Sequence, residues 1–223
     1  MKEYVIITGG GSGSRMNSVI PKQFLEINGS PIIFYAIKAF LLYNPDIKII
    51  ITLPENQFKY WEELIFNKKF DINHTLVKGG NTRFHSVKNA LQYVPNNSIV
   101  AIHDAVRPLA SINTITKAFE MAKKFDAAIP TILPCDSIRI KTENLTKAIN
   151  RSTVMLVQTP QVFISDKIKL AYNIEYSDAF TDDASVYESV KGNTVKTTEG
   201  NIENIKITNP IDIIIAEALF RKL

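Results

Sequence analysis

The residues with the clearest chemical meaning stand near the start of this 223-residue sequence, directly after the apolar run 4–7. They are a cluster of glycines and two cations that follow it. Glycine reaches positive φ and has no side chain, so consecutive glycines let backbone N–H groups wrap closely around an anion. A surface turn with two solvated cations is the alternative, but the density of glycine favours a phosphate-binding loop. The residues are Gly9, Gly10, Gly11, Gly13, Arg15 and Lys22.

Two familiar phosphate loops do not fit this stretch. The dinucleotide fingerprint needs a glycine where Ser14 stands, and no glycine here precedes a Gly-Lys pair at the Walker A distance. A second pair of glycines, Gly79 and Gly80, lies beside Arg83. We therefore expect two glycine loops of another kind to hold an anionic ligand.

A polar cluster follows the apolar run 99–102. Asp104 ends this predicted strand, and Arg107 and Pro108 follow in the next loop. Asp104 could simply cap the turn, but open α/β sheets bind ligands at the carboxyl ends of their strands, which favours a functional role. We expect the neighbouring His103 to be a packed or hydrogen-bonded histidine rather than a general base.

Short apolar runs alternate with longer segments of helical period, which is typical of βαβ units around a parallel, twisted sheet. We predict strands at 4–8, 48–53, 74–77, 99–102, 127–132, 157–163 and 205–208. We predict helices at 31–43, 55–66, 82–94, 112–125, 184–190 and 211–220, the last of them apolar enough to pack flat on the sheet. The polar segment 134–152 interrupts this rhythm and is expected to project as a hairpin or arm.

Composition limits the remaining possibilities. The net charge of +4 and the pI near 9.0 would suit a nucleic-acid binder, but the cations are scattered among acids, so we expect a phosphorylated small molecule instead. Cys135 is the only cysteine, and the three histidines have no metal-ligand spacing. We find neither a leader nor a membrane-spanning run, and we expect one soluble cytoplasmic domain covering 1–223.

The motifs together resemble those of the sugar-phosphate nucleotidyltransferases, and specifically of the cytidylyltransferases of isoprenoid precursor synthesis. GGGSGSRM at 9–16 and PKQF at 21–24 open the pattern, and seven later segments follow in that family's order and at about its spacing. Each segment is weak alone, but jointly they are specific and span essentially the whole chain. The later segments are GGNTRFHSV at 79–87, HDAVRP at 103–108, DS at 136–137, NR at 150–151, QTPQ at 158–161, TDDAS at 181–185 and NIKIT at 204–208.

The resemblance implies a fold and an activity. The fold is α/β and Rossmann-like, with a twisted, mostly parallel sheet flanked by helices and a small projecting β-arm. The activity is transfer of a cytidylyl group from CTP to 2-C-methyl-D-erythritol 4-phosphate with release of pyrophosphate, assisted by Mg²⁺ held mainly by the CTP phosphates. The attacking phosphate is already an anion, so cations and fixed dipoles do most of the catalysis. The family also implies a homodimer in which each arm reaches the neighbouring site.

The resemblance further implies a role for each matching residue. The expected catalytic residues are Arg15, Lys22, Arg151 and Lys206. The expected nucleotide-binding residues are Gly9, Gly10, Gly11, Gly13, Gly80, Asn81, Ser86 and Asp104, with Asp104 near the ribose and the metal. The expected residues for the incoming sugar phosphate are Arg107, Ser137, Arg151 and Thr159.

Several of these assignments have alternatives. Lys206 lies between Ile205 and Ile207, so strand alternation alone would turn it outward to water. The run 181–183 is expected to cap the following helix rather than to act in catalysis. Asn81 stands where the family commonly has an acid, which weakens its expected contact with cytosine.

Two other functions stay open. Ribitol-5-phosphate cytidylyltransferases share the glycine loop and HDAVRP, and residue types alone do not settle the acceptor. A regulatory module of the same fold would bind CTP without turnover.

Overall fold

The structure is a computed structural model, and it describes residues 1–10, 20–143 and 145–222. Gly11, Gly13 and Arg15 lie outside the described residues. The strands are β1 (Glu3–Thr8), β2 (Glu26–Ile27), β3 (Ser30–Pro31), β4 (Lys48–Leu53), β5 (His74–Lys78), β6 (Ile99–Asp104), β7 (Ala127–Ile132), β8 (Ile138–Lys141), β9 (Thr146–Ile149), β10 (Leu156–Val157), β11 (Gln161–Ile164) and β12 (Lys196–Glu199). The helices are α1 (Ile32–Tyr43), α2 (Phe58–Asn67), α3 (Arg83–Leu91), α4 (Ile112–Phe125), α5 (Ser165–Ala171), α6 (Asp183–Glu188) and α7 (Pro210–Phe220).

The central sheet is mostly parallel, with the strand order β10-β7-β11-β6-β1-β4-β5 and with β12 paired to β7. β1 pairs in parallel with both β4 and β6, and β4 with β5, whereas β11 runs antiparallel between β6 and β7. The inner strands β4 and β6 are buried almost throughout, which is why they read as continuous apolar runs. The predicted parallel sheet is confirmed.

Helices cover both faces of this sheet. In β1, Val5 and Ile7 face one core cluster, and Ile6 faces the other. The first cluster takes in the buried Trp61 of α2 together with apolar residues of α1 and α4. The second is formed with α3, α5 and α6 and includes the buried Tyr172, just beyond α5. Burial on two faces fixes the strand ends, and with them the loops that carry the polar residues.

Most predicted elements are found within a few residues of their predicted bounds, but the strand predicted at 157–163 is interrupted. β10 and β11 both pair with β7, and five steps from Val157 to Val162 oppose only three from Thr131 to Ala128. The two extra residues lie at 158–160, where Pro160 has no N–H to donate to a ladder. This interruption places Thr159 beside the end of β6.

Among the described residues in the second half of the chain, one predicted strand is absent and two elements were not predicted. The strand predicted at 205–208 is absent from the described residues, where Ile207 N–H donates to Val106 C=O (2.9 Å) outside any ladder. Sequence reasoning missed the short helix α5 and the edge strand β12, whose sequence KTTE has little apolar signal.

The final helix does begin as predicted but does not pack flat on the sheet. Asn209 and Asp212 form a capping box around Pro210 at the first turn. Of this helix only Ala216 is buried, within a small separate cluster with Ile27 and Ile207. The prediction failed because an apolar composition does not tell which surface a helix meets.

The polar segment 134–152 contains an antiparallel hairpin of β8 and β9, in agreement with the predicted arm. Nearly all of its residues are exposed, and Arg139 Nε donates to Thr146 Oγ1 across it (2.8 Å). Within the described ranges, the helices all fall short of the length and apolar content that a bilayer crossing requires.

Candidate active site

Both glycine segments begin at the carboxyl ends of parallel strands, at the same end of the central sheet. Thr8 and Asp104 are register partners at the ends of β1 and β6, so Gly9 starts beside Asp104. Gly9 N–H donates to Thr52 C=O (2.9 Å), and Gly79 N–H donates to Leu53 C=O (2.8 Å) at the end of the next strand. The carboxyl ends of three neighbouring strands therefore carry the loops expected to bind a ligand.

The two glycine loops meet at Ser86 in the first turns of α3. Gly80 N–H donates to Ser86 Oγ (3.0 Å), and a Cβ added to Gly10 would lie 3.4 Å from the same oxygen. A Cβ on Gly80 would lie 2.3 Å from His85 Cβ, which no real side chain tolerates. Gly10, Gly80 and Ser86 are therefore together, as expected, and Asn81 is exposed beside them.

Gln23 anchors the first loop, and sequence reasoning gave it no role. Its buried side chain donates through Nε2 to Gly9 C=O (2.7 Å) and also lies 2.7 Å from Gln57 Oε1. Lys22 precedes it in the short 3₁₀ turn Lys22–Phe24 and is partly buried. The motif PKQF thus ties the start of the glycine loop to the sheet edge.

Asp104 is the centre of a charged cluster. Its Oδ1 lies 3.2 Å from Arg83 Nε, and its Oδ2 lies 2.9 Å from Lys206 Nζ and 3.6 Å from Arg107 Nε. The Asp104 side chain is only 8 % exposed, whereas that of Lys206 is 45 % exposed. The structure therefore brings Asp104, Arg107 and Lys206 together, and their roles in a reaction stay a prediction.

Lys206 reaches Asp104 because its segment is not a strand. Strand alternation would have turned the side chain to water, but the backbone at 205–208 runs outside the sheet. The alternation argument was therefore wrong here. Arg107 is held from the other side, since its Nη1 donates to Asn204 C=O (2.8 Å). Arg107 Nε is buried and makes no hydrogen bond to any described residue.

Arg83 also pairs with a second carboxylate, the fully buried Asp183, which sequence reasoning did not place in the site. Arg83 Nη1 and Nη2 donate to the two oxygens of Asp183 (2.8 and 2.7 Å), and Tyr172 Oη donates to Asp183 Oδ1 (2.6 Å). The adjacent Asp182 caps α6 as predicted, with its side chain accepting from Ser185 N–H. The signal that could have revealed the pair was the isolated Arg83 beside the second glycine pair.

The cluster sets the protonation of its members. Burial alone would raise the pKa of Asp104, but Arg83, Lys206 and Arg107 hold it well below its ordinary value. Burial works to lower the pKa of Arg83, but Asp183 and Asp104 raise it well above its ordinary range. Burial lowers the pKa of Arg107 although Asp104 opposes this shift. Asp104 is therefore an anion at neutral pH that organises cations.

His103 and Thr159 hold the backbone of Asp104 and Arg107 through hydrogen bonds. His103 Nε2 lies 3.0 Å from Arg107 C=O, an acceptor, so Nε2 carries the proton and Nδ1 accepts from Thr159 Oγ1 (3.0 Å). Thr159 Oγ1 in turn accepts from Asp104 N–H (3.1 Å). Burial lowers the pKa of His103 to about 4, so it is neutral at pH 7. It is a hydrogen-bonded histidine, as predicted.

The buried histidine makes stability depend on pH. Between about pH 6.5 and pH 4 the unfolded chain protonates His103 while the folded chain does not, so the free energy of unfolding should fall as the pH is lowered. The full effect is on the order of 3 kcal/mol. Urea unfolding across this pH range should show the loss, and His103→Gln should remove that part of the slope. An unchanged slope in His103→Gln would assign it to other groups.

Two expected substrate residues lie on the arm rather than at Asp104. Ser137 is exposed just before β8, and Arg151 donates to Cys135 C=O at the base of the hairpin. Within this chain they are not in the cluster with Asp104, Arg107 and Lys206. They can contribute to the Asp104 cluster only if the arm reaches the site of a second subunit, as in the expected homodimer.

Comparison with known proteins identifies the family of this chain. Residues 4–222 match the family 2-C-methyl-D-erythritol 4-phosphate cytidylyltransferase (IspD). A relative with that name from Azobacteroides pseudotrichonymphae is 50% identical over 218 residues, covering 98% of each chain. One from Phocaeicola vulgatus is 45% identical over 219 residues, which is 98% of this chain and 100% of the relative.

The solved structures agree with the sequence comparison. The crystal structure of 4-diphosphocytidyl-2C-methyl-D-erythritol synthase from Anaerococcus prevotii aligns with a TM-score of 0.84 at 28% identity, over 99% of this chain and 96% of that one. That of 2-C-methyl-D-erythritol 4-phosphate cytidylyltransferase from Thermus thermophilus aligns with a TM-score of 0.79 at 26% identity, over 99% and 100%. The predicted Rossmann-like fold class is confirmed. The chain therefore belongs to the 2-C-methyl-D-erythritol 4-phosphate cytidylyltransferase family.

Proposed function

We propose that this protein transfers a cytidylyl group from CTP to 2-C-methyl-D-erythritol 4-phosphate and releases pyrophosphate, a step in isoprenoid precursor synthesis. The observation that carries the proposal is the set of three cations around Asp104, beside the two glycine loops. Among the described residues, Arg83, Arg107 and Lys206 pair with two carboxylates there, Asp104 and Asp183. This excess of positive charge at a strand end suits a reaction between two phosphate groups.

The glycine loops bind the nucleotide in this proposal. Backbone N–H groups of the loop after Gly9, as far as Gly13, hold the triphosphate, and Arg15 and Lys22 neutralise its charge. The Gly9 N–H itself bonds to Thr52 C=O and fixes the start of the loop. Gly80, Asn81 and Ser86 read the cytosine edge, which presents an amino donor and ring acceptors. The contact between the loops at Ser86 supports this assignment, because it brings the base-reading and phosphate-binding segments to one place.

The acceptor approaches the cationic side of Asp104. An oxygen of the sugar phosphate attacks the α-phosphorus of CTP, a new P–O bond forms, and the bond to the bridging oxygen of pyrophosphate breaks. Arg107, whose Nε lies 3.6 Å from Asp104 Oδ2, adds a positive charge on this side and attracts the incoming anion. The Lys206 side chain is partly exposed, so its ammonium can approach the phosphate oxygens on which negative charge builds up during transfer. Thr159 fixes the backbone of Asp104.

The carboxylates at the site could supply Mg²⁺ with at most one ligand, so CTP would have to provide most of the others. Asp183 is fully buried, and both its oxygens are engaged by Arg83, so it is not a metal ligand. Both oxygens of Asp104 also face cations, so it could supply one oxygen only if the ion took the place of the partly exposed Lys206 ammonium at Oδ2. CTP phosphates and water would then be the remaining ligands, a set that Mg²⁺ commonly takes. When bound, the ion would neutralise charge on the triphosphate. Among the described residues there is no cluster of three or more metal-ligating side chains.

The arm has a separate role in the proposal. We infer a cytoplasmic homodimer in which the hairpin of one subunit brings Ser137 and Arg151 to the acceptor phosphate of the other. The exposed hairpin supports this arrangement, because β8 and β9 pair with each other and form a two-stranded sheet separate from the central one. Each chain otherwise acts as a single domain.

The experiment is pyrophosphate release by the purified protein with each of two acceptors and each of four nucleotides. We expect release with CTP and 2-C-methyl-D-erythritol 4-phosphate, and a kcat/KM at least about 100-fold lower with UTP, ATP or GTP, because the base edge is read by hydrogen bonds. Release only with ribitol 5-phosphate would identify the other acceptor. Binding of CTP without product under Mg²⁺ would identify the regulatory module instead.

A further inference from the structure

Asp183 is a fully buried carboxylate outside the residues expected to touch either substrate. We propose that it is a positioning residue, which acts through Arg83 to fix the carboxylate of Asp104 and thereby the two cations that receive the acceptor phosphate. This inference rests on the proposed function for its kinetic consequences, but its geometric part does not depend on turnover.

Arg83 divides its donors between the two carboxylates. Nη1 and Nη2 form a bidentate pair with Asp183, and Nε points to Asp104 Oδ1 at 3.2 Å. The guanidinium is a rigid plane, so a pair of parallel bonds at one edge fixes the direction of Nε. Asp183 therefore determines where Arg83 meets Asp104.

The orientation of Asp104 decides the places of the remaining cations. Its Oδ1 is taken by Arg83 Nε, with Thr8 Oγ1 at 3.5 Å, which leaves Oδ2 to Lys206 and Arg107. If Arg83 turned away, Oδ1 would lose its charged partner and the carboxylate would be held mainly through Oδ2, so the position of the Lys206 ammonium would be less well fixed. The chain of contacts thus runs from Asp183 through Arg83 and Asp104 to the acceptor side of the site.

A purely structural role explains Asp183 less well. α6 is already capped by Asp182, whose side chain accepts from Ser185 N–H (2.9 Å). A buried ion pair is also a weak source of net stability, since desolvation offsets much of its attraction. What the pair does supply is a fixed orientation of Arg83, because Tyr172 Oη also donates to Asp183 Oδ1 (2.6 Å) and holds the carboxylate in place.

The kinetic test uses three variants of the full-length protein. In Asp183→Asn the amide replaces one acceptor by a donor that faces Arg83. We therefore expect the KM for the acceptor to rise about tenfold and kcat to fall, because Lys206 is less well placed, while the Kd for CTP stays within about twofold. Asp183→Glu keeps the charge and should recover most of the loss. Asp182→Ala on the same helix is the matched control, and it should lower the melting temperature without changing the KM for the acceptor.

Two further measurements keep the inference testable in every case. Should Asp183→Asn fail to fold, Tyr172→Phe removes one bond to the same carboxylate and should raise the acceptor KM by a smaller factor. The NMR signal of Arg83 Nε–H, assigned with Arg83→Lys, reports the bond to Asp104 without turnover. We expect it to shift or to exchange rapidly with water in Asp183→Asn.

Two outcomes separate failure of this inference from failure of the proposed function. A wild-type protein that releases no pyrophosphate overturns the function, whereas the Arg83 signal still tests the geometry. An unchanged Arg83 signal in Asp183→Asn, or a fall in active fraction with both the KM and the Kd for CTP unchanged, overturns the positioning role.

Discussion

Lys206→Met lowers the kcat of cytidylyl transfer by a factor of about 10² to 10³ while leaving the protein folded. The ammonium lies 2.9 Å from Asp104 Oδ2, and its side chain is 45 % exposed, so it faces the open side of the site where charge develops. Asp104 keeps Arg83 and Arg107 as counterions in the variant, which is why folding should survive. Steady-state pyrophosphate release, together with urea unfolding, measures both effects.

Lys167 is a matched control, and its partner Asp126 lies at the amino end of a strand of the central sheet. Lys167 is 47 % exposed and pairs with Asp126 at 2.7 Å, so it has nearly the same exposure and the same kind of partner as Lys206. Asp126 directly precedes β7, away from the strand ends that carry the glycine loops. Lys167→Met should therefore leave kcat within about twofold of wild type. Equal losses in the two variants would show that Lys206 has no special place in the reaction.

The fold was predictable where local patterns coincide with burial. β1, β4 and β6 are apolar runs because both of their faces are covered, and the helices between them show a 3.6-residue period. The failures lie where partners are remote or signals are polar. β12 reads KTTE and is recognised as a strand only by its pairing with β7, and α7 is apolar although it lies against β2 rather than on the central sheet.

The site was predictable where a residue ends a strand. Asp104 and Gly9 follow buried strands that are neighbours in the sheet, so their proximity follows from the topology. The contact between Lys206 and Asp104 joins segments far apart in sequence, and alternation pointed the wrong way. Local sequence also hid Asp183, because an acid at the start of a helix is explained well enough by capping. Only the structure shows that Asp183 forms an ion pair with Arg83.

Asp104→Asn should give the largest loss of stability, about 3–5 kcal/mol at neutral pH. The substitution leaves Arg83, Arg107 and Lys206 around an uncharged amide, and the Asp104 side chain is only 8 % exposed, so water cannot replace the lost charge. Turnover should fall below detection, because the cations lose the anion that orients them. Urea unfolding and pyrophosphate release measure the two effects.

The pH dependence identifies the cause of that loss. The cations hold the pKa of Asp104 below its ordinary value of 3.8, so its stabilising contribution is present above that value and is lost as the pH falls further. The stability difference between wild type and Asp104→Asn should therefore narrow below about pH 4. Asp126→Asn, at an exposed carboxylate, is the control and should change stability by less than about 0.5 kcal/mol. A difference that persists undiminished in acid would point to lost packing rather than lost charge, since protonation would then leave it untouched.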